Sequence, residues 1–347
     1  GHSGQAWYKG QLVSGAEALA QAGIERVVPL AKEGLALTNG TTFMVAAGAL
    51  AIHDAQKLLT HAEISAALSM EALTGLSSAF HPALQHANGM LGQAEVASNV
   101  LRLVEGSELV DSVEGRVQDA YSLRCIPQVL GPIREALAFV RSNFARVLNG
   151  ATDNPLIIED EKEGYVSISG GNFHGEGPAL WLDFLSIAIA EVASLAERRI
   201  FRLVTPELSN GLPSMLVSKP GLNSGLMMPQ YTAAALVSDN KTLCHPDSVD
   251  SIPSSGNQED HVSMGANGAR HALEVIDNVR NVIAIELLTA TQGIDLRDQG
   301  PKRLGKGTKA AYELVREHVK MVDVDRELTP DLVKLAALIR SEKLVTA

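Results

Sequence analysis

Apolar residues recur at spacings of three and four over most of the chain, the period of helices with one buried face. The pattern predicts long helices over 41–73, 119–148, 178–203, 230–243 and 261–291, and shorter ones over 309–318 and 330–341. In the last long stretch Leu273, Ile276, Val279, Ile283 and Leu287 form one continuous stripe. Pro127 and Pro132 are expected to kink the first half of 119–148, and Pro178 stands where a helix accepts proline, at its first turn. One interruption alternates instead: residues 156–158 and 165–168 flank EDEKEG, the pattern of a hairpin with a solvated tip. No repeat of roughly 20–50 residues is evident. The expectation is an all-α fold, a long antiparallel helical bundle with one short β-hairpin, forming a single unit over 1–347 and finishing its core against neighbouring subunits.

Composition sharpens this. Only 4% of residues are aromatic against 46% apolar, so Ala and Leu make the core and close-packed rods are favoured over a sandwich. A net charge of −11 excludes a nucleic-acid or anionic-membrane surface, because no basic stripe is available for phosphates. The most apolar run, 179–196, is broken by Asp183 and Glu191 and reads as a core helix rather than a membrane span. Cys125 and Cys244 lie far apart with no C-x-x-C, which suits a reducing, cytoplasmic setting and buried, inert thiols.

Between the rods lie polar loops: LTNGTT (37–42), VQDAYSLR (117–124), ATDNP (151–155), SGGNFHGE (169–176) and SSGNQEDHVSMG (254–265). Each is compatible with caps and turns, and Asn39-Gly40 and Asn154-Pro155 are ordinary turn pairs. As a set they supply several amides, a tyrosine and an arginine, a donor set for a small carboxylate, which guanidinium binds bidentately. No metal is expected: His53 and His61, like His81 and His86, miss helical ligand spacing, and H-E-x-x-H is absent. No nucleotide is expected either. GPKRLGKG (300–307) lacks the Ser or Thr of a phosphate loop and reads as a basic linker. In the last loop Ser255-x-x-Gln258 has capping-box spacing, and Asn257 would cap a helix starting near Gln258 with Glu259 and Asp260 at its positive end. A helix mouth already holding acids suits a cation or an imidazole.

VQDAYSLRCIPQV (117–129), ATDNPLI (151–157), SGGNFHGE (169–176), QYTAAALVSDNK (230–241) and VDSIPSSGNQEDHVSMG (249–265) together closely resemble the aromatic amino acid lyase family, most of all its histidine-specific branch. The likeness runs in order along nearly the whole chain. It implies the helical bundle of the lyase and fumarase-like type, a homotetramer, and active sites built from loops of several subunits. The implied reaction removes ammonia from L-histidine to give trans-urocanate. The implied electrophile is a methylidene-imidazolone made from an Ala-Ser-Gly tripeptide, which turns a poor amine leaving group into a good one. By motif, Arg124 would pair with the substrate carboxylate, and Asn39 and Asn154 would bond the electrophile or that carboxylate. Tyr121 would transfer a proton or orient the substrate, with Gln118 lining the pocket. Phe173 would pack on a ring, Gln258 would contact substrate, and Glu259 would meet the imidazole or ammonium end. Phenylalanine-specific relatives lack the matching Glu, so Glu259 favours histidine. His261 reads as a structural neighbour.

No Ala-Ser-Gly occurs in the chain; the Ser-Gly pairs follow His2, Val13, Ile168, Asn223 and Ser254. GHSGQAWYKGQLVSG resembles family sequence just downstream of the electrophile. The chain is therefore expected to be the C-terminal two-thirds of such an enzyme, needing a missing N-terminal segment or subunit for activity. Rival expectations are a lyase or 2,3-aminomutase acting on another aromatic amino acid or a histidine derivative, and a non-catalytic assembly or regulatory subunit.

Overall fold

A computed structural model describes residues 4–346; Gly1–Ser3 of the family-like opening stretch, and Ala347, lie outside the described residues. A hairpin of β1 (Gln5–Tyr8) and β2 (Gln11–Ser14) leads into α1 (Gly15–Ala22) and the single turn α2 (Glu33–Ala36). Then come α3 (Thr42–Ala72), α4 (Pro82–Asn88), α5 (Leu91–Leu103), the turn α6 (Tyr121–Arg124) and α7 (Ile126–Leu148). A second hairpin, β3 (Leu156–Asp160) with β4 (Gly164–Ile168), precedes α8 (Glu176–Val204), α9 (Met227–Leu243) and α10 (Gly265–Asp295). Short helices α11 (Lys306–His318), α12 (Thr329–Arg340) and α13 (Lys343–Thr346) follow.

The core is the seam between α3, α8 and α10. The expected stripe on α10 faces it, with Ile276, Val279, Ile283 and Leu287 buried and Leu273 half-buried. These three rods run parallel: Met44, at the start of α3, touches the positions of Gly175 and Gly265, while Ala72 and Leu203 meet Gly293 at the other end. Antiparallel return helices make this possible. Phe144, late in α7, lies against Gly48, early in α3. Gln230 and Cys244 at the two ends of α9 bond Glu197 and Ser186 of α8 in reverse order. The expected antiparallel bundle is thus three parallel rods threaded by returning ones. α8 is long and apolar enough to span a membrane, yet Leu182, Leu185, Ile189 and Val192 are buried in this core.

Three local expectations are corrected. The helix expected from 119 divides at Cys125: Pro127 lies in the first turn of α7, and only Pro132 sits inside it. A second hairpin joins the expected one, turning at Lys9 and Gly10, both at positive φ, as a two-residue hairpin turn demands. No helix starts near Gln258. Ser255, Gly256 and Asn257 all adopt left-handed φ, the chain turns back so that Ser254 and Glu259 pair, and α10 begins at Gly265.

Candidate active site

The sequence-selected residues fall into two groups at opposite ends of the bundle. Asn39 precedes α3, and its neighbour Gly40 approaches the Thr152 carbonyl, which brings the Asn39 and Asn154 loops together. Asn154 Oδ1 accepts from Ser169 Oγ at 3.1 Å and Gly170 N at 2.7 Å, tying that loop to the one carrying Phe173. His174, next to Phe173, stacks on His261 at 5.4 Å between ring centroids, and their facing nitrogens are 3.3 Å apart. Phe173, Gln258 and Glu259 are exposed around this end.

Here the starts of α3, α8 and α10 converge. Their cap residues, Thr41, Gly175 and Met264, make no side-chain cap bond. His174 Nδ1 accepts from Glu176 N at 3.3 Å, and Ser263 Oγ from Gly265 N at 3.5 Å. Three parallel positive helix ends gathered at one end of the bundle favour an anion or an electron-rich oxygen there.

Glu259 is presented by its own turn. Ser254 N donates to Glu259 O at 2.9 Å, and Ser254 Oγ donates to Glu259 Oε2 at 2.7 Å. The expected helix cap is therefore a closed six-residue turn, and what fixes the carboxylate is Ser254. The local signal was there in the Ser-Ser-Gly-Asn run, whose last two residues tolerate left-handed φ.

At the far end α6 carries the second group. Arg124 Nη1 donates to Gln118 Oε1 at 2.8 Å, and its guanidinium lies over the Tyr121 ring at 4.7 Å. One edge of the guanidinium is thus fixed and its plane is stacked, which presets it for a planar anion. The group borders a cleft of about 520 Å³ lined by Leu76, Ser78, Leu84, Gln118, Arg124 and Cys125 among others. Buried Asp119 anchors the approach to α6, accepting from Leu76 N at 2.6 Å and pairing with Arg116 at 3.3 Å.

The two groups do not meet within one chain. α3 has 31 residues and spans the gap between them, about 45 Å at 1.5 Å per residue. The expected burial of the cysteines is also corrected, since both are half-buried. Burial, with Glu191 and Asp183 nearby, pushes the Cys244 thiol up to about 11, so it stays protonated at neutral pH.

Residues 2–317 match the family model for aromatic amino acid lyases. Histidine ammonia-lyase of Caldanaerobacter subterraneus subsp. tengcongensis is 53% identical over 342 residues, covering 98% of this chain and 66% of that protein. The histidine ammonia-lyase of Alkaliphilus metalliredigens is 51% identical, covering 99% and 66%. The chain therefore spans about two thirds of the length of these curated relatives. Among solved structures, histidine ammonia-lyase from Trypanosoma cruzi superposes with a TM-score of 0.88 at 42% identity, over 97% of this chain and 63% of that one. Tyrosine aminomutase from Streptomyces globisporus does so at 0.91 and 37%, over 99% and 68%. The chain belongs to the aromatic amino acid lyase family.

Proposed function

We propose that this protein acts as an ammonia-lyase on L-histidine, breaking the Cα–N bond and one Cβ–H bond to give trans-urocanate and ammonia. The observation that carries the reading is the preset guanidinium of Arg124, pinned by Gln118 and stacked on Tyr121, a receptor shaped for the carboxylate of an amino acid. Glu259, held by Ser254, supplies the second contact, an acceptor for imidazole N–H or ammonium. The histidine ammonia-lyase names of relatives near 50% identity support the same substrate.

The family's electrophile, a methylidene-imidazolone formed from an Ala-Ser-Gly, suits the end where Asn39 and three helix starts converge. Its oxygen would find amide donors and positive helix ends there. When present, that group makes the amine a good leaving group. This chain's residues do the rest. Arg124 holds the carboxylate, Tyr121 orients the substrate or carries a proton, and Glu259 fixes the imidazole. Asn39 and Asn154 bond the electrophile or the carboxylate, and Phe173 and Gln258 wall the pocket.

Because the Arg124 and Glu259 groups sit at opposite ends of one rod bundle, a working site takes one end from each of two copies. A homotetramer meets this requirement. Exposed apolar side chains such as Phe139, Leu180, Phe184 and Tyr231 supply area for the contact. The test is urocanate absorbance from L-histidine with the full-length protein, run beside L-phenylalanine and L-tyrosine. Urocanate from histidine, with no product from the other two, supports the reading. Turnover of tyrosine or phenylalanine instead, or of none of the three by a folded assembly, rejects it.

A further inference from the structure

The bundle core holds a charge pair that stability alone does not call for. Arg199 on α8 and Glu286 on α10 are fully buried and doubly bonded: Arg199 Nε donates to Glu286 Oε1, and Nη2 donates to Oε2 at 3.0 Å. From α3, Ser69 Oγ donates to Oε1 and Ser65 Oγ to Oε2, both at 2.7 Å. A buried pair of this kind is often no more stable than apolar residues of the same volume. Here it joins all three parallel rods, and the carboxylate is fully satisfied.

One nitrogen of the guanidinium takes no part in the pair, and it reaches out of the three-rod seam. Arg199 Nη1 donates to the Ser122 carbonyl at 3.3 Å. Ser122 lies on α6 between Tyr121 and Arg124, beside the junction where the helical ladder breaks. Pro127 brings no N–H for the Leu123 carbonyl, so α6 is not held by α7 as one continuous helix would be. Asp119 holds α6 at its approach and Arg199 holds it from beneath.

We infer that Arg199, clamped by Glu286, is a positioning residue that fixes α6 so that Arg124 and Tyr121 stand ready for the substrate carboxylate. It touches no reacting atom. The effect on turnover rests on the lyase reading above, whereas the effect on α6 does not.

The test uses the full-length protein and two variants. Arg199→Met combined with Glu286→Met removes both charges together and leaves no unpaired charge in the core, though the Ser69 hydroxyl loses its partner. Arg199→Lys keeps a cation for Glu286, but its single nitrogen cannot also hold the Ser122 carbonyl in the guanidinium's geometry. Hydrogen exchange followed by mass spectrometry is expected to run about tenfold faster over residues 121–126 in both variants, with peptides of α3 and α10 unchanged in the Lys variant. KM for L-histidine is expected to rise about tenfold in both, because carboxylate binding is shared by ground and transition states. Unchanged exchange over 121–126 in a folded variant overturns the inference, whatever the substrate. A purely structural role predicts instead that Arg199→Lys restores KM. If exchange changes while the parent protein makes no urocanate, the positioning role stands and the lyase reading fails.

Discussion

Replacing Glu259 by Gln separates a binding role from a folding role. Glu259 is solvent-exposed in the chain, and its carboxylate has one side-chain bond, from Ser254 Oγ at 2.7 Å. The amide is isosteric and keeps an oxygen for that hydroxyl. As a surface change away from core features it should alter stability by no more than about 0.5 kcal/mol. On the proposed function the same carboxylate would accept from the substrate's imidazole or ammonium. A hydrogen bond to a charged group contributes about 1.5–3 kcal/mol, and at about 1.4 kcal/mol per decade its loss lowers kcat/KM roughly 10- to 150-fold. The assay is urocanate formation for parent and variant, with thermal unfolding measured on the same preparations. Ser254→Ala should move kcat/KM in the same direction by less, since it frees the carboxylate without removing it. A clear fall in melting temperature with kcat/KM within twofold of the parent would refute the reasoning and return Glu259 to a structural role.

Two further predictions concern the scaffold. Gly48→Ala should destabilise by about 1–3 kcal/mol, the range for overpacking a filled core. Its Cβ would sit 2.4 Å from Phe144 Cε1 and 3.0 Å from Leu182 Cδ2, and Phe144 is already wedged edge-on to Trp181. Urea denaturation checks it, and an unchanged midpoint would contradict the packing. Glu71→Gln should stabilise the protein at pH 8. Burial holds the Glu71 carboxyl above its ordinary 4.5, only partly offset by Thr308, Ser107 and the Gly305 N–H. Folding therefore penalises the ionised form, the penalty is full above the raised folded value, and it is relieved as pH falls through that value towards 4.5. The advantage of Gln should shrink over the same window; a difference that does not change with pH would contradict the assignment.

The rods were legible because burial on one face writes itself into the sequence. Ile276, Val279, Ile283 and Leu287 are spaced by contact with α3 and α8, so periodicity finds them. α5 carries only a short stripe, Val96, Ala97 and Val100, diluted by polar neighbours. It carries Gln93, Glu95, Ser98, Asn99 and Arg102, and it reaches α7 through backbone, where Gly92 and Gly131 are so close that a Cβ at either would clash. The loop at Ser254 misled because local capping signals competed with a tertiary requirement. Three left-handed residues turn the chain back on itself, and capping-box spacing says nothing about that. Motifs named the candidate site residues but not their separation. Whether Arg124 and Glu259 share one opening depends on α3, α8 and α10 running parallel, which follows from how the return helices pack.

That separation is the central claim, and mixing variants tests it most directly. Arg124→Met disables one end of the chain and Glu259→Gln the other, so each should be nearly inactive alone. If every site takes its two ends from different copies, chains co-expressed in equal amounts should recover about one quarter of the parent's activity. That is the fraction of sites in which both contributing ends are intact under random assembly. Recovery near that value is the predicted result. Mixed assemblies with no activity above either variant alone would mean that both ends act within one chain, and would contradict the account.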